Sequence, residues 1–87
     1  MCGIIGINSY KPVSSAIINS LKKLEYRGYD SAGIATLSNG LINEIKSEGR
    51  VDNLEKNFDL KKLSGNIGIG HVRWATHGVP NSVNAHP

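Results

Sequence analysis

A single cysteine, Cys2, stands directly behind the initiator methionine in Met1-Cys2-Gly3-Ile4-Ile5-Gly6-Ile7. Removal of Met1 would therefore place a thiol and a free α-amino group on one residue. An ordinary thiol, with a pKa of about 8.5, is only a few per cent thiolate at pH 7 and needs a neighbouring base. An α-amino group, ordinarily near 7.7–8.0, is close to ideal as that base at neutral pH. A cysteine that opens the chain thus carries its own activator, as N-terminal threonine nucleophiles do. The alternative is a small buried residue starting an apolar strand, the common fate of free cysteines.

A second concentration of polar chemistry lies in Val72-Arg73-Trp74-Ala75-Thr76-His77-Gly78-Val79-Pro80. Arg73 offers the planar fork that suits a carboxylate. Thr76 and His77 could add donors to the same anion, and Trp74 could cover an apolar stem and exclude water. Against this stands a structural alternative in which Arg73 pairs with a surface acid and Trp74 fills the core. His71, His77 and His86, with Cys2, invite a metal reading, but their spacing fits no zinc pattern and there is no Cys-x-x-Cys. Neither Gly3-Ile4-Ile5-Gly6 nor Gly68-Ile69-Gly70 fits a dinucleotide or phosphate loop. No metal and no cofactor is expected.

The elements that must position these residues are legible from periodicity. The apolar opening reads as a strand, residues 8–12 as a turn, and Ser14 or Ser15 as the cap of a helix running to about Glu25. Ile17, Leu21 and Leu24 recur at helical spacing with Lys22 and Lys23 facing away, which predicts an amphipathic helix lying on a sheet. Residues 25–33 read as an ordered loop, too glycine-rich for regular structure and too aromatic for an idle linker. A buried strand follows from Gly33 to Leu37, then an Asn39-Gly40 hairpin turn and a strand from Leu41 to about Ser47. Val51, Leu54 and Phe58 mark a short second helix, with Leu63 its furthest limit, and Lys56, Lys61 and Lys62 form a solvated face. After a turn at residues 64–66, Ile67-Gly68-Ile69-Gly70-His71 reads as a strand whose glycines permit close approach of backbone or ligand.

Composition narrows the function classes. Ten Lys and Arg against seven Asp and Glu leave a charge of +3 with no basic run, which gives nucleic-acid binding little support. No apolar stretch reaches the length of a membrane span, and no signal peptide opens the chain. One cysteine cannot form an internal disulfide, so a reducing, cytoplasmic setting is expected. At 87 residues the chain allows one domain at most.

Three stretches in unbroken order resemble the class II glutamine amidotransferases: Met-Cys-Gly-Ile-Ile-Gly at the start, Leu24-Glu25-Tyr26-Arg27-Gly28-Tyr29-Asp30-Ser31-Ala32-Gly33, and His71-Val72-Arg73-Trp74-Ala75-Thr76-His77-Gly78 with Asn84-Ala85-His86-Pro87. The words Tyr-Arg-Gly-Tyr-Asp-Ser-Ala-Gly and Arg-Trp-Ala-Thr-His-Gly are closest to members that deliver ammonia to fructose 6-phosphate. The resemblance implies an α+β fold of the N-terminal-nucleophile hydrolase type, with two stacked antiparallel sheets between helices. It makes Cys2 the nucleophile that takes the side-chain amide of glutamine through a γ-glutamyl thioester. Arg73, Thr76 and His77 would hold the glutamine α-carboxylate, Trp74 would belong to a loop closing over the substrate, and Arg27 and His86 would support the nucleophile. The parent protein would be a transferase of amino-sugar biosynthesis and a homo-oligomer.

The chain departs from the family pattern at its end. The family's Asn-Gly pair, which supplies the oxyanion hole, and its aspartate for the substrate amino group have no counterpart in residues 1–87, nor does a sugar-isomerase domain. Loss of one oxyanion donor typically costs about 10²–10³ in rate. Residues 1–87 are therefore expected to be the first part of an amidotransferase domain, incomplete as a catalyst when alone. A non-catalytic binding or assembly module, or an amidotransferase with another ammonia acceptor, stays open at this point.

Overall fold

Isoleucine alternates with glycine in Ile67-Gly68-Ile69-Gly70, and this pattern decides where the helix can lie. The computed structural model describes residues 2–27, 30–60, 63–74 and 87. In chain order it contains β1 (Gly3–Asn8), α1 (Ser14–Leu24), a single 3-10 turn (Glu25–Arg27), β2 (Ser31–Ser38), β3 (Leu41–Glu48), α2 (Asp52–Asn57) and β4 (Ile67–Arg73). The four strands form one antiparallel sheet in the order β1-β4-β2-β3. No described helix is long and apolar enough to cross a membrane.

Side chains alternate across a strand, so β4 divides its residues between two faces. Gly68, Gly70 and Val72 turn towards α1. A Cβ on Gly70 would lie 2.5 Å from Ile17 and 3.0 Å from Leu21, and one on Gly68 would lie 2.9 Å from Ile17. The missing side chains are what let α1 settle on the sheet. Ile17, Ile18 and Leu21 are buried there against Ala32, Ile34 and Val72. Burial of each such large aliphatic side chain is worth about 1.5–3 kcal/mol. The close approach anticipated at these glycines is thus that of the helix.

The opposite face carries Ile4, Leu37, Ile42, Ile67 and Ile69, all exposed. An apolar sheet face of this kind is suited to a second sheet packed against it. The described residues hold one antiparallel sheet, where the family resemblance implies two stacked ones.

Several boundaries differ from expectation. Neither Ser14 nor Ser15 caps α1: Val13 occupies that place, its carbonyl accepts from the Ile17 N–H, and no side chain caps the helix. Burial of Val13 outweighs the hydroxyl's preference for the position. β2 begins at Ser31 rather than Gly33, because residues 31 and 32 find ladder partners on both β3 and β4. α2 ends at Asn57, and Phe58 is already extended at φ −134°, so the helix does not continue to Leu63. Lys61 and Lys62 lie outside the described residues. The Asn39-Gly40 turn is as expected: φ is 53° and 76°, the left-handed pair of a tight hairpin.

α1 and α2 meet through charge. Lys22 bonds Glu55 and lies 3.6 Å from Asp52. The hydrogen bond to Glu55 holds the Lys22 ammonium above its ordinary pKa, with Coulombic attraction to both acids adding to it. This contribution is present below the ordinary lysine range and fades as pH rises through the raised value. Exposure and solvent screening keep it small.

The helix-to-sheet contact predicts a sharp response to added volume. Gly70→Ala is expected to lower stability by about 1–3 kcal/mol through overpacking against Ile17. Chemical denaturation checks this, and Gly6→Ala, whose Cβ would meet nothing closer than 3.9 Å, is the control expected to change little.

Candidate functional site

Antiparallel pairing of β1 with β4 decides which residues share the end of the sheet. Gly3 pairs with Val72 and Ile4 with His71, so Cys2 emerges alongside Arg73 and Trp74. The Cys2 thiol faces the Trp74 carbonyl with Sγ 3.9 Å from the oxygen, across 72 positions of sequence. Cys2 is exposed and free, which sets aside its alternative reading as a buried strand residue.

Arg73 ends β4 and is 6% exposed, whereas Trp74, the next residue, is 50% exposed. Both observations run against the structural alternative, in which the arginine would lie at the surface and the tryptophan inside. A buried guanidinium is costly unless its donors are satisfied, so Arg73 belongs to a built polar environment.

The backbone around Arg73 is fixed from the neighbouring strand. Ser31 is its register partner on β2. The Asp30 N–H donates to the Arg73 carbonyl at 2.7 Å, and the Asp30 carbonyl accepts from the Gly49 N–H at 2.7 Å. The Ser31 hydroxyl donates to Asp30 Oδ1 at 2.9 Å. Gly49, at φ 84°, makes the turn out of β3 that reaches Asp30. Glycine content and polarity predict an ordered loop at Asp30 and Ser31, with no part in the site, whereas Ser31 opens β2. The available signal was their place within a motif too aromatic for a linker.

Arg27 closes the 3-10 turn that follows α1. Thr76, His77 and His86 lie outside the described residues. His71 sits in β4, partly buried, two residues before Arg73 and on the same face, away from α1. Among the described residues no three potential metal ligands cluster. The site thus joins an exposed thiol near the chain's start, a buried arginine, and an exposed tryptophan whose backbone carbonyl meets the thiol.

No protein-family model matches the chain. Curated relatives do. The chain is 56% identical over its full 87 residues to a protein of Agrobacterium fabrum named glutamine–fructose-6-phosphate aminotransferase (isomerizing). Proteins of the same name match at 56% in Clostridium acetobutylicum and 58% in Pyrococcus horikoshii. The chain spans 14% of the length of each. Among solved structures, the glutamine phosphoribosylpyrophosphate amidotransferase of B. subtilis, complexed with ADP and GMP, superposes with a TM-score of 0.84 at 28% identity. A structure described as the allosteric regulatory enzyme of purine biosynthesis gives 0.85 at 29%. Each of these matches covers all of this chain and 18% of the other.

Exposure of Cys2 predicts that Ellman's reagent titrates one thiol per native chain without denaturant. A titre that emerges only on unfolding would contradict its position at the open end of β1.

Proposed function

We propose that the chain belongs to the class II glutamine amidotransferases, as its similarity to the relatives above supports, and that residues 1–87 are the first part of a glutamine-hydrolysing domain and carry its nucleophile and carboxylate clamp. Once Met1 is removed, the Cys2 thiol passes its proton to its own α-amino group as Sγ attacks the side-chain amide carbon of glutamine. The tetrahedral adduct collapses by breaking the carbon–nitrogen bond, and the protonated amine returns the proton to the leaving nitrogen. Ammonia departs and a γ-glutamyl thioester remains. Water, deprotonated by the same amine, then attacks the thioester, releasing glutamate and restoring the thiol.

In this reading Arg73 holds the α-carboxylate of glutamine in a bidentate pair, with Thr76 and His77 adding donors. Trp74 covers the substrate stem, and Arg27 and His86 support the nucleophile. The observation that carries the proposal is the register of β1 on β4, which puts an exposed cysteine thiol beside a buried arginine at one end of the sheet. The names of the relatives support fructose 6-phosphate as the acceptor of the ammonia in a complete protein, with glutamine as donor. Such a protein would be a cytoplasmic homo-oligomer.

The test is intact mass spectrometry of the purified chain incubated with 6-diazo-5-oxo-norleucine, a glutamine analogue that alkylates such nucleophiles. The expected result is loss of Met1 and one adduct on Cys2, suppressed by excess glutamine. Arg73→Ala is expected to slow labelling roughly 30-fold or more, the scale for losing one partner of a buried charged pair. Labelling that ignores glutamine and survives Arg73→Ala would favour a non-catalytic module instead.

A further inference from the structure

A serine with no exposed surface is costly unless its hydroxyl is bonded, and Ser31 is 0% exposed at the first position of β2. Its hydroxyl donates to the Asp30 carboxylate. Asp30 in turn uses its N–H on the Arg73 carbonyl and its own carbonyl on the Gly49 N–H. Two adjacent residues therefore tie the last residue of β4 to the start of β2 and to the turn leaving β3.

Ser31 also stands directly across the ladder from Arg73. Register partners point to the same face with Cβ atoms about 4.5–5.5 Å apart. The two therefore share the face turned away from α1, where Arg73 is buried. A small residue opposite a long buried cation leaves room for its stem, and the hydroxyl is spent on the residue that anchors the cation's backbone.

We infer that Ser31 is a positioning residue for Arg73: acting through Asp30, it holds the guanidinium in the place from which it clamps a carboxylate. This assignment deepens the glutamine reading above and rests on it for the identity of the ligand. The positioning itself is testable without any ligand. A relaxed clamp would keep the charge but lose its pre-set orientation, and bidentate recognition depends on that orientation.

The experiment follows the Arg73 Nε–H resonance in the nitrogen-15-labelled full chain, identified by its disappearance in Arg73→Lys. Ser31→Ala is expected to move it towards the position of an exposed arginine and to speed its solvent exchange roughly three- to tenfold, the scale of one hydrogen bond. Sheet amide resonances should keep their dispersion. Asp30→Ala is expected to give the same change, and the double variant to add nothing further, because the two act as one unit. An unchanged Arg73 resonance in Ser31→Ala would overturn the inference, as would additive effects. Collapse of the sheet amides in both single variants would overturn it too, by making the pair a support of the whole sheet. Labelling of Cys2 by the glutamine analogue can fail while this result stands, so the two readings fail separately.

Discussion

The antiparallel ladder between β1 and β4 is the constraint on which the rest of the arrangement depends. It brings the second residue of the chain beside the seventy-third, and a slip of one residue would turn every β1 side chain to the opposite face. The register is held from both ends. At the far end, the Ser9 N–H donates to the Asn66 carbonyl and the Val13 N–H to the Gly65 carbonyl, fixing the β1–α1 link to the turn that starts β4. At the near end, Gly3 sits under Leu24 and beside Val72, where a Cβ would come within 3.1 Å of each. Glycine there lets the strand run close beneath the end of the helix before the chain emerges at Cys2.

Two demands on the site are met by different parts of this sheet. A nucleophile at a chain terminus needs freedom for its amine and access for substrate, and Cys2 lies exposed just outside the first ladder pair. A carboxylate clamp needs a fixed orientation, and Arg73 is buried at a strand end whose backbone is tied to two other segments. Under the proposed function, a clamp on rigid structure with a nucleophile at its margin would suit covalent catalysis, where approach geometry rather than extra binding sets the rate. The face opposite α1 is apolar as well, with Ile4, Leu37, Ile42, Ile67 and Ile69 exposed on it.

Much of this was legible in the residues. Helical spacing of Ile17, Leu21 and Leu24 located α1, the Asn39-Gly40 pair located the hairpin, and glycine alternation in residues 67–70 foretold a close neighbour. Cys2, Arg73 and Trp74 were singled out by residue type, and the sheet brings these three together. What sequence could not show arises from long-range pairing. The β1–β4 register joins residues 59 to 69 positions apart, and no local pattern encodes it. The start of β2 at Ser31 was hidden because its ladder partners are the far end of the hairpin and the distant β4, and the polarity of Asp30 and Ser31 suggested a loop. Val13 displaced the serines at the helix start for a tertiary reason, its burial in the core.

The central claim is that Cys2 acts as an N-terminal residue with its own amine as base. A chain with one alanine inserted between Met1 and Cys2 tests it most directly, since methionine removal then leaves the thiol in place and displaces the free amine by one residue. Alkylation by 6-diazo-5-oxo-norleucine is compared with alkylation by iodoacetamide in both chains. The account predicts that the insertion abolishes glutamine-protected labelling while leaving the iodoacetamide reaction of the exposed thiol close to its original rate. Equal glutamine-protected labelling of the two chains would contradict it, because Cys2 would then be activated by some group other than its own amine.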